Sequence, residues 1–477
     1  MIVQDASPRY EAPHQEPVNN RSASISTSDE GSSSEMMSGE DNDMKIASST
    51  SQERSWKAGL FRKGGVIPSA VCLSKAAIGA GVLSMATHSA EVGIIYQMVG
   101  LAVGAWLTLV SINMIAKASI ATGCWSYEDI CEELFHPGMS LMTGFVNVCN
   151  CVGSGAGYLI VCGQVFQVLS GANRHWRNVF VLLMGVFVCA PLALARQVSF
   201  MRHLAAWSVG FLLTLVLVVI VSYAENGPDE TITPKILWFG PGSTNVFGYM
   251  NSLNNIVFAY NNQFNVPQLT GELTPQPTVA RMSKVASITV TLCFGLFASV
   301  SIVGVLAFGV GARQRDSLVL DLAPERRNPL VIVALLGVMF SVLTCLQFHI
   351  YPIRQFFAYF IRKLRARSLE EPDRIVCGRT LTRWFDIFTA LSSVTTIILI
   401  ALVVTSIKTI LDFVGAFAAA WIAFVVPPLW VLQLLRKQKD FSWARCDPLS
   451  CVALFALGIF FFAFGTYSAV NDALDGG

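Results

Sequence analysis

Residues 73–84 read Leu73-Ser74-Lys75-Ala76-Ala77-Ile78-Gly79-Ala80-Gly81-Val82-Leu83-Ser84. They lie inside an apolar run over 66–88, and about 20 such residues in a helix cross a bilayer. In hydrocarbon every backbone N–H and C=O needs a partner, so irregular backbone at mid-membrane is tolerated only where protein or a cavity surrounds it. Gly79 and Gly81 flank a single alanine, where an unwound turn strains least because glycine tolerates unusual dihedrals. Small residues also let membrane helices approach closely, so the two glycines taken alone admit either reading.

Outward from this stretch the pattern repeats. Eleven segments have spanning length: 66–88, 92–116, 139–170, 178–195, 204–224, 244–269, 285–310, 329–353, 385–407, 411–433 and 449–470. Over all 477 residues 53% are hydrophobic and 13% charged, with a mean hydropathy of +0.55. Soluble domains carry roughly a quarter charged residues. These numbers exclude a soluble globular protein, a disordered protein and a nucleic-acid binder. The expected fold is an all-α polytopic membrane protein.

The net charge of +2 is uninformative until the charges are placed. With the N-terminus on the cytoplasmic side, the cytoplasmic segments hold 22 Lys and Arg, leaving out Arg9 and Arg21 of the distal tail, and the opposite ones 8. Cytoplasmic loops carry such an excess. The N-terminus is therefore expected inside, and an odd number of spans puts the C-terminus and a short 471–477 tail outside. Residues 1–57 form a serine-rich, acidic segment without an apolar stretch of signal-peptide type, a composition expected to stay disordered. On this topology the Asn20-Arg21-Ser22 sequon is not glycosylated. The twelve cysteines form no paired C-x-x-C sets and read as small apolar fillers rather than a metal or disulfide framework.

The sixth segment carries a second interruption: Ile256-Val257-Phe258-Ala259-Tyr260-Asn261-Asn262-Gln263-Phe264-Asn265-Val266-Pro267. Four amide side chains within five residues are costly in hydrocarbon unless they meet water or a partner, and such groups are functional candidates. The alternative is a helix that ends at Tyr260 and passes into a polar loop. The first and sixth segments are also the first members of two five-helix halves. Interruptions in corresponding positions of two halves point to a transporter's binding site.

At this point four elements resemble the amino acid/auxin permease family. They are the glycine motif within Val66–Gly93, the Phe258-Ala259-Tyr260 and Gly271-Glu272-Leu273 run, Tyr351-Pro352-Ile353-Arg354, and Ser126-Tyr127 with Phe135-His136-Pro137-Gly138. The resemblance covers roughly 58–470, and within the family the chain looks nearest the trypanosomatid amino acid permeases. It implies the leucine-transporter-like fold: two inverted five-helix repeats, about 66–224 and 244–433, plus an extra helix over 449–470. It also implies secondary active transport of amino acids, with Gly79, Ala80 and Gly81 at one helix break and Ala259, Tyr260 and Asn261 at the other facing the substrate. The expected partners are an amino acid and the lipid bilayer, with no nucleic acid. The plasma membrane is the expected location.

Lys75 is the only Lys or Arg in the central half of any segment. It either snorkels to the cytoplasmic interface or points into the bundle. In sodium-coupled relatives the position is typically Asn and helps hold sodium with a hydroxyl on the eighth helix, for which Thr344 is the candidate here. A lysine in its place disfavours sodium and favours proton symport or exchange, with no other cofactor. Lacking a mid-span carboxylate, the sequence tilts toward neutral over cationic amino acids. An enzyme would need a metal or nucleophile constellation such as H-E-x-x-H, and a channel paired charge rings; neither occurs. A sensor that binds amino acids without moving them stays open.

Overall fold

The computed structural model describes residues 64–194, 198–227, 233–309, 316–368, 378–404, 406–437 and 448–475, and all of them belong to one compact unit. The serine-rich tail, with Asn20 and Lys57, lies outside the described residues. Every regular element among them is helical. In chain order these are α1 (Val66–Ala77), α2 (Met85–Val92), α3 (Ile94–Thr122), α4 (Tyr127–Leu134), α5 (Pro137–Ser170), α6 (Arg174–Leu194), α7 (Val198–Asn226) and α8 (Pro234–Phe239). There follow α9 (Val246–Ala259), α10 (Val266–Gly271), α11 (Val279–Phe308), α12 (Leu318–Asp321), α13 (Pro329–Ser368), α14 (Gly378–Val403), α15 (Ile407–Lys437) and α16 (Pro448–Leu474).

Local chemistry sets the helix ends. Side chains of Ser126, Asn173, Asn245, Thr278 and Ser406 accept from the backbone N–H three residues on, which satisfies donors that a helix start leaves open. At the other end, Gly123 (φ 69°) and Gly171 (φ 68°) take the left-handed conformation that closes α3 and α5.

Among the described residues eight helices are long and apolar enough to cross a membrane: α3, α5, α6, α7, α11, α13, α15 and α16. The pair α1 and α2, bent by 52°, brings the number to nine. The expected sixth and ninth spans are helical but shorter. The sixth stops after the 14 residues of α9, and the apolar part of α14 runs only over Ile387–Val403. The chain is a multi-pass helical membrane protein; eleven spans are the expectation of its apolar runs, and the inverted repeats that of the resemblance.

Packing is organised around α5, whose Gly153-Ser154-Gly155-Ala156-Gly157 run is buried. A Cβ would stand 2.4 Å from Val414 at Gly153, 2.7 Å from Ile397 at Gly155 and 3.1 Å from Leu411 at Gly157. With little hydrophobic drive between helices in lipid, such small residues permit the close contact that holds the bundle. Opposite, α11 lies against α1, α2, α3 and α7. A close backbone approach joins α9 and α15, where a Cβ on Gly415 would be 2.1 Å from the Asn254 carbonyl oxygen. Just there α15 widens into two π turns, Gly415–Ala419 and Trp421–Val425.

Charged groups collect at the two ends of the bundle. At one end Asp129 and Glu132 of α4 pair with Arg362 and Lys363 of α13, and Lys437 donates to the Glu133 carbonyl (3.0 Å). Burial of Glu128 in the same short helix holds its carboxyl far above the usual carboxylate range, at about 7. At the other end Lys408 pairs with Glu91 at 2.7 Å.

Two expectations follow for thermal stability in detergent. Gly415→Ala should be destabilising by about 1–3 kcal/mol, the usual effect of overpacking, whereas Gly295→Ala, with open space at its Cβ, should melt like wild type. Glu128 keeps its proton in the fold to a higher pH than in the unfolded chain, so stability falls as pH rises from about 4 to about 7. Glu128→Gln should therefore raise the melting temperature at pH 8 and leave it unchanged near pH 4. An equal shift at both pH values would show that the carboxyl's charge is not the cause.

Candidate substrate site

The first helix ends at Ala77. Ile78 (φ −79°, ψ 76°) and Gly79 (φ −116°, ψ −132°) leave helical space, a 3₁₀ turn runs over Ala80–Ser84, and α2 continues on the new axis. No dihedral in this turn demands glycine. Proximity does: a Cβ on Gly79 would stand 2.8 Å from the Tyr158 hydroxyl of α5. A Cβ on Gly81 would stand 3.1 Å from both Ala259 Cα and Phe258 Cδ1. Ala80 faces α5 near Gly157. Ser84 locks the turn by donating to the Gly81 carbonyl (3.1 Å) and to Asn255 Oδ1 (2.8 Å).

The sixth helix ends at Ala259. Tyr260 N makes the last α-helical bond, to Ile256 O; Asn261 N then bonds to Phe258 O and Asn262 N to Tyr260 O, steps of three and two residues that end the helix. A short turn, Gln263–Asn265, leads into α10. Asn261 Nδ2 donates to Asn150 Oδ1 of α5 at 2.6 Å. Asn261 Oδ1, both side-chain atoms of Asn262 and Asn150 Nδ2 are buried without a protein partner. Buried polar atoms normally find one, so these exceptions call for a reason.

Of the six expected substrate residues, Gly81 touches Ala259 across the two breaks, Gly79 and Ala80 lie against Tyr158 and Gly157 of α5, Asn261 bonds Asn150 of the same helix, and the Tyr260 backbone lies in the second break. The Tyr260 side chain turns away. Its ring lies edge-on to Phe297 of α11 at 5.3 Å, and it lines an apolar cavity of about 260 Å³ with Gly100, Gly104, Thr108, Phe424 and Phe461.

Lys75 points inward and is fully buried. Its ammonium donates to the Ser341 carbonyl (2.8 Å) and hydroxyl (2.6 Å) on α13, and approaches the Ile78 carbonyl at the break (3.5 Å). Thr344 stands one turn further on, bonded to the Ser341 carbonyl and to Ser208 Oγ of α7, both at 2.7 Å. Ser341, which sequence reasoning passed over, is thus the direct partner and Thr344 lies behind it. Spacing could have found it, since 341, 344 and 345 share one helix face. Cys345 completes the row by donating its thiol to the Lys75 carbonyl at 3.3 Å.

A second pair had no sequence role. Tyr158 Oη lies 3.3 Å from His349 Nε2, and His349 Nδ1 lies 3.0 Å from the Cys345 carbonyl. The Phe264 ring covers the imidazole at 4.8 Å. The available signal was a tyrosine inside the glycine-rich center of α5.

Chemically, the start of the Ala80 turn offers N–H groups with no capping side chain, and helix N-termini favour negative charge. Broken half-helices of this kind recognise charged small molecules in membrane transporters. A polytopic helical bundle with two interrupted helices in contact is an arrangement in which membrane transporters build their binding sites. The sequence comparisons agree. The family described as "Transmembrane amino acid transporter protein" matches residues 62–471, and the chain belongs to that family. It is 23% identical to Vacuolar amino acid transporter 6 of Saccharomyces cerevisiae, over 76% of this chain and 88% of that one. It is 22% identical to Vacuolar amino acid transporter 5 of Schizosaccharomyces pombe, over 76% and 83%. It is also 22% identical to Sodium-coupled neutral amino acid transporter 7 of Danio rerio, over 83% and 85%.

Gly81→Val places methyl groups against Ala259 and Phe258. It is expected to abolish amino acid uptake while the purified protein still elutes as a single species. Uptake at the wild-type rate would move the break's function elsewhere.

Proposed function

We propose that this protein is a secondary active transporter that moves neutral amino acids by alternating access, without sodium and coupled to protons. The observation that carries this reading is the contact of the two helix breaks at Gly81 and Ala259. Each break leaves backbone groups open, and an α-amino acid carries an ammonium and a carboxylate about one residue apart. The carboxylate suits the N–H groups of the Ala80 turn, and the ammonium suits the carbonyls and amides where α9 ends.

Two observations support a neutral substrate. None of the acceptors around the breaks is a carboxylate, and one relative's printed name is a neutral amino acid transporter. The same name includes sodium coupling, against which Lys75 argues. Its ammonium occupies a setting of carbonyl and hydroxyl oxygens, the ligand type a hard cation takes, and a tethered cation leaves no charge for sodium to supply. Each charge moved inward gains about 2.3 kcal/mol per 100 mV, enough to concentrate a substrate.

The basic bias of the loops supports an N-terminus in the cytoplasm and a C-terminus outside it. Imaging of a tagged chain separates the plasma membrane expected from sequence from the vacuolar membrane in two relatives' names. A sensor that binds amino acids and moves none is the alternative reading. Saturable binding in detergent with no uptake in proteoliposomes would establish it.

The decisive measurement is radiolabelled uptake of twenty amino acids into proteoliposomes. Replacing sodium with choline should leave uptake unchanged. Lys75→Ala removes a buried ammonium that donates to the Ser341 carbonyl and hydroxyl and approaches the Ile78 carbonyl, and should slow uptake severely because α1 and α13 lose the cation that joins them. Strong sodium dependence in wild type would reject the substitution argument, and normal uptake by Lys75→Ala would reject its role.

A further inference from the structure

A cluster of ionisable side chains lies apart from the helix breaks, at the bundle end where Lys408 meets Glu91. His88 of α2 is fully buried, with Nδ1 3.5 Å from Glu91 Oε2 and Nε2 3.4 Å from Asp412 Oδ1 of α15. Asp412 is 1% exposed. Lys408, one turn before Asp412, pairs with Glu91 at 2.7 Å and approaches Asp472 of α16 at 4.0 Å.

The arrangement contains a proton requirement. A neutral imidazole has one N–H and one lone pair, so between two ionised carboxylates it would turn a lone pair toward an oxygen. The geometry is satisfied when the cluster holds one more proton than a neutral histidine with two carboxylates. Charge leads to the same count. Counting the buried groups alone, with that proton His88 and Lys408 balance Glu91 and Asp412, and without it the set is left at −1, which is strongly unfavourable; Asp472 and Asp316, which also face Lys408, are partly exposed and add no positive charge.

Other helices packed on α2 do not supply the balance. Beyond Lys284, α11 carries only Cys293 as a titratable group. Near this end α9 and α3 contribute Tyr249 and Tyr96, α12 contributes the buried acid Asp321, and α8 contributes exposed Lys235. None of these is a buried cation.

We propose that His88 and Asp412, held by Glu91 and Lys408, form the proton-binding site that couples transport, separate from Lys75. This rests on the amino acid transport reading. His88 is carried by the half-helix beyond the Gly79–Gly81 break, and Asp412 by a different helix. When α2 lies on α15 the cluster is assembled and dry, and it holds the proton. When α2 swings away the imidazole and carboxylate part, water reaches both, and the proton is released on that side. Proton binding and closure of this end are then one event. No bond other than the N–H or O–H of the transferred proton forms or breaks.

The test uses full-length protein in proteoliposomes and two assays: counterflow of labelled amino acid at equal pH, and accumulation driven by an imposed pH gradient. Wild type should show both. His88→Gln should lose pH-driven accumulation and retain counterflow. In case that variant misfolds with its surplus negative charge, His88→Gln with Asp412→Asn keeps the cluster neutral and near-isosteric, and should behave the same way. Accumulation at the wild-type level in either variant overturns the site. So does a wild-type protein with counterflow but no response to the pH gradient, whatever the variants do. Absence of counterflow in wild type with all twenty amino acids instead rejects the transport reading, and the proton site falls with it.

Discussion

The structure depends on the rule that backbone hydrogen-bonding groups in hydrocarbon must be answered by protein. Two helices break that rule at Ile78–Gly79 and at Tyr260–Asn262, and each is tolerated because other protein surrounds it. Glycine at 79 and 81 lets the first break lie against Tyr158 and Ala259 without an intervening Cβ. The glycine run of α5 brings α13, α14 and α15 around the same point. The close packing that holds the bundle and the irregular backbone that makes it useful are therefore products of the same small residues.

Polar chemistry in the interior divides into settled and unsettled groups. Lys75, Ser341, Thr344, Ser208 and Cys345 satisfy one another in a row that ties α1 to α13 and α7. Rows of that kind fix helix register, because moving either helix exposes an ammonium without acceptors. The asparagines at 150, 261 and 262 are different: they keep unanswered atoms in a buried setting. An unsatisfied group is a standing drive toward any partner that fits, and here these groups stand beside the two breaks.

Much of this was legible in the sequence because its signals are local. Apolar runs announced the helices, Gly79-Ala80-Gly81 announced the first break, and the four amides after Tyr260 announced the second. The helix ends moved by a few residues where a cap such as Asn173 or Thr278 set the start. What stayed hidden is pairing across long separations. Ser341, 266 residues from Lys75, is reached only through the helix-face spacing it shares with Thr344, and nothing near Tyr158 points to His349, 191 residues away. His88 and Asp412 each read as a polar residue near a span end, and only the fold makes them neighbours. The break in the sequence places the Tyr260 backbone, and only packing against Phe297 shows that its ring turns toward α3 and α11.

The two π turns of α15 bear on how such a bundle deforms. A turn closed by i→i+5 bonds is wider and less well packed along its own axis than an α turn. Gly415–Ala419 and Trp421–Val425 place two of these in succession, directly below the segment carrying Lys408 and Asp412. Regular α-helical bonding in α15 is thus interrupted between the segment that carries Lys408 and Asp412 and the Trp430–Tyr127 contact at 4.8 Å, and the extra residues of the wider turns are taken up where α15 meets α9 at Gly415 and Asn254.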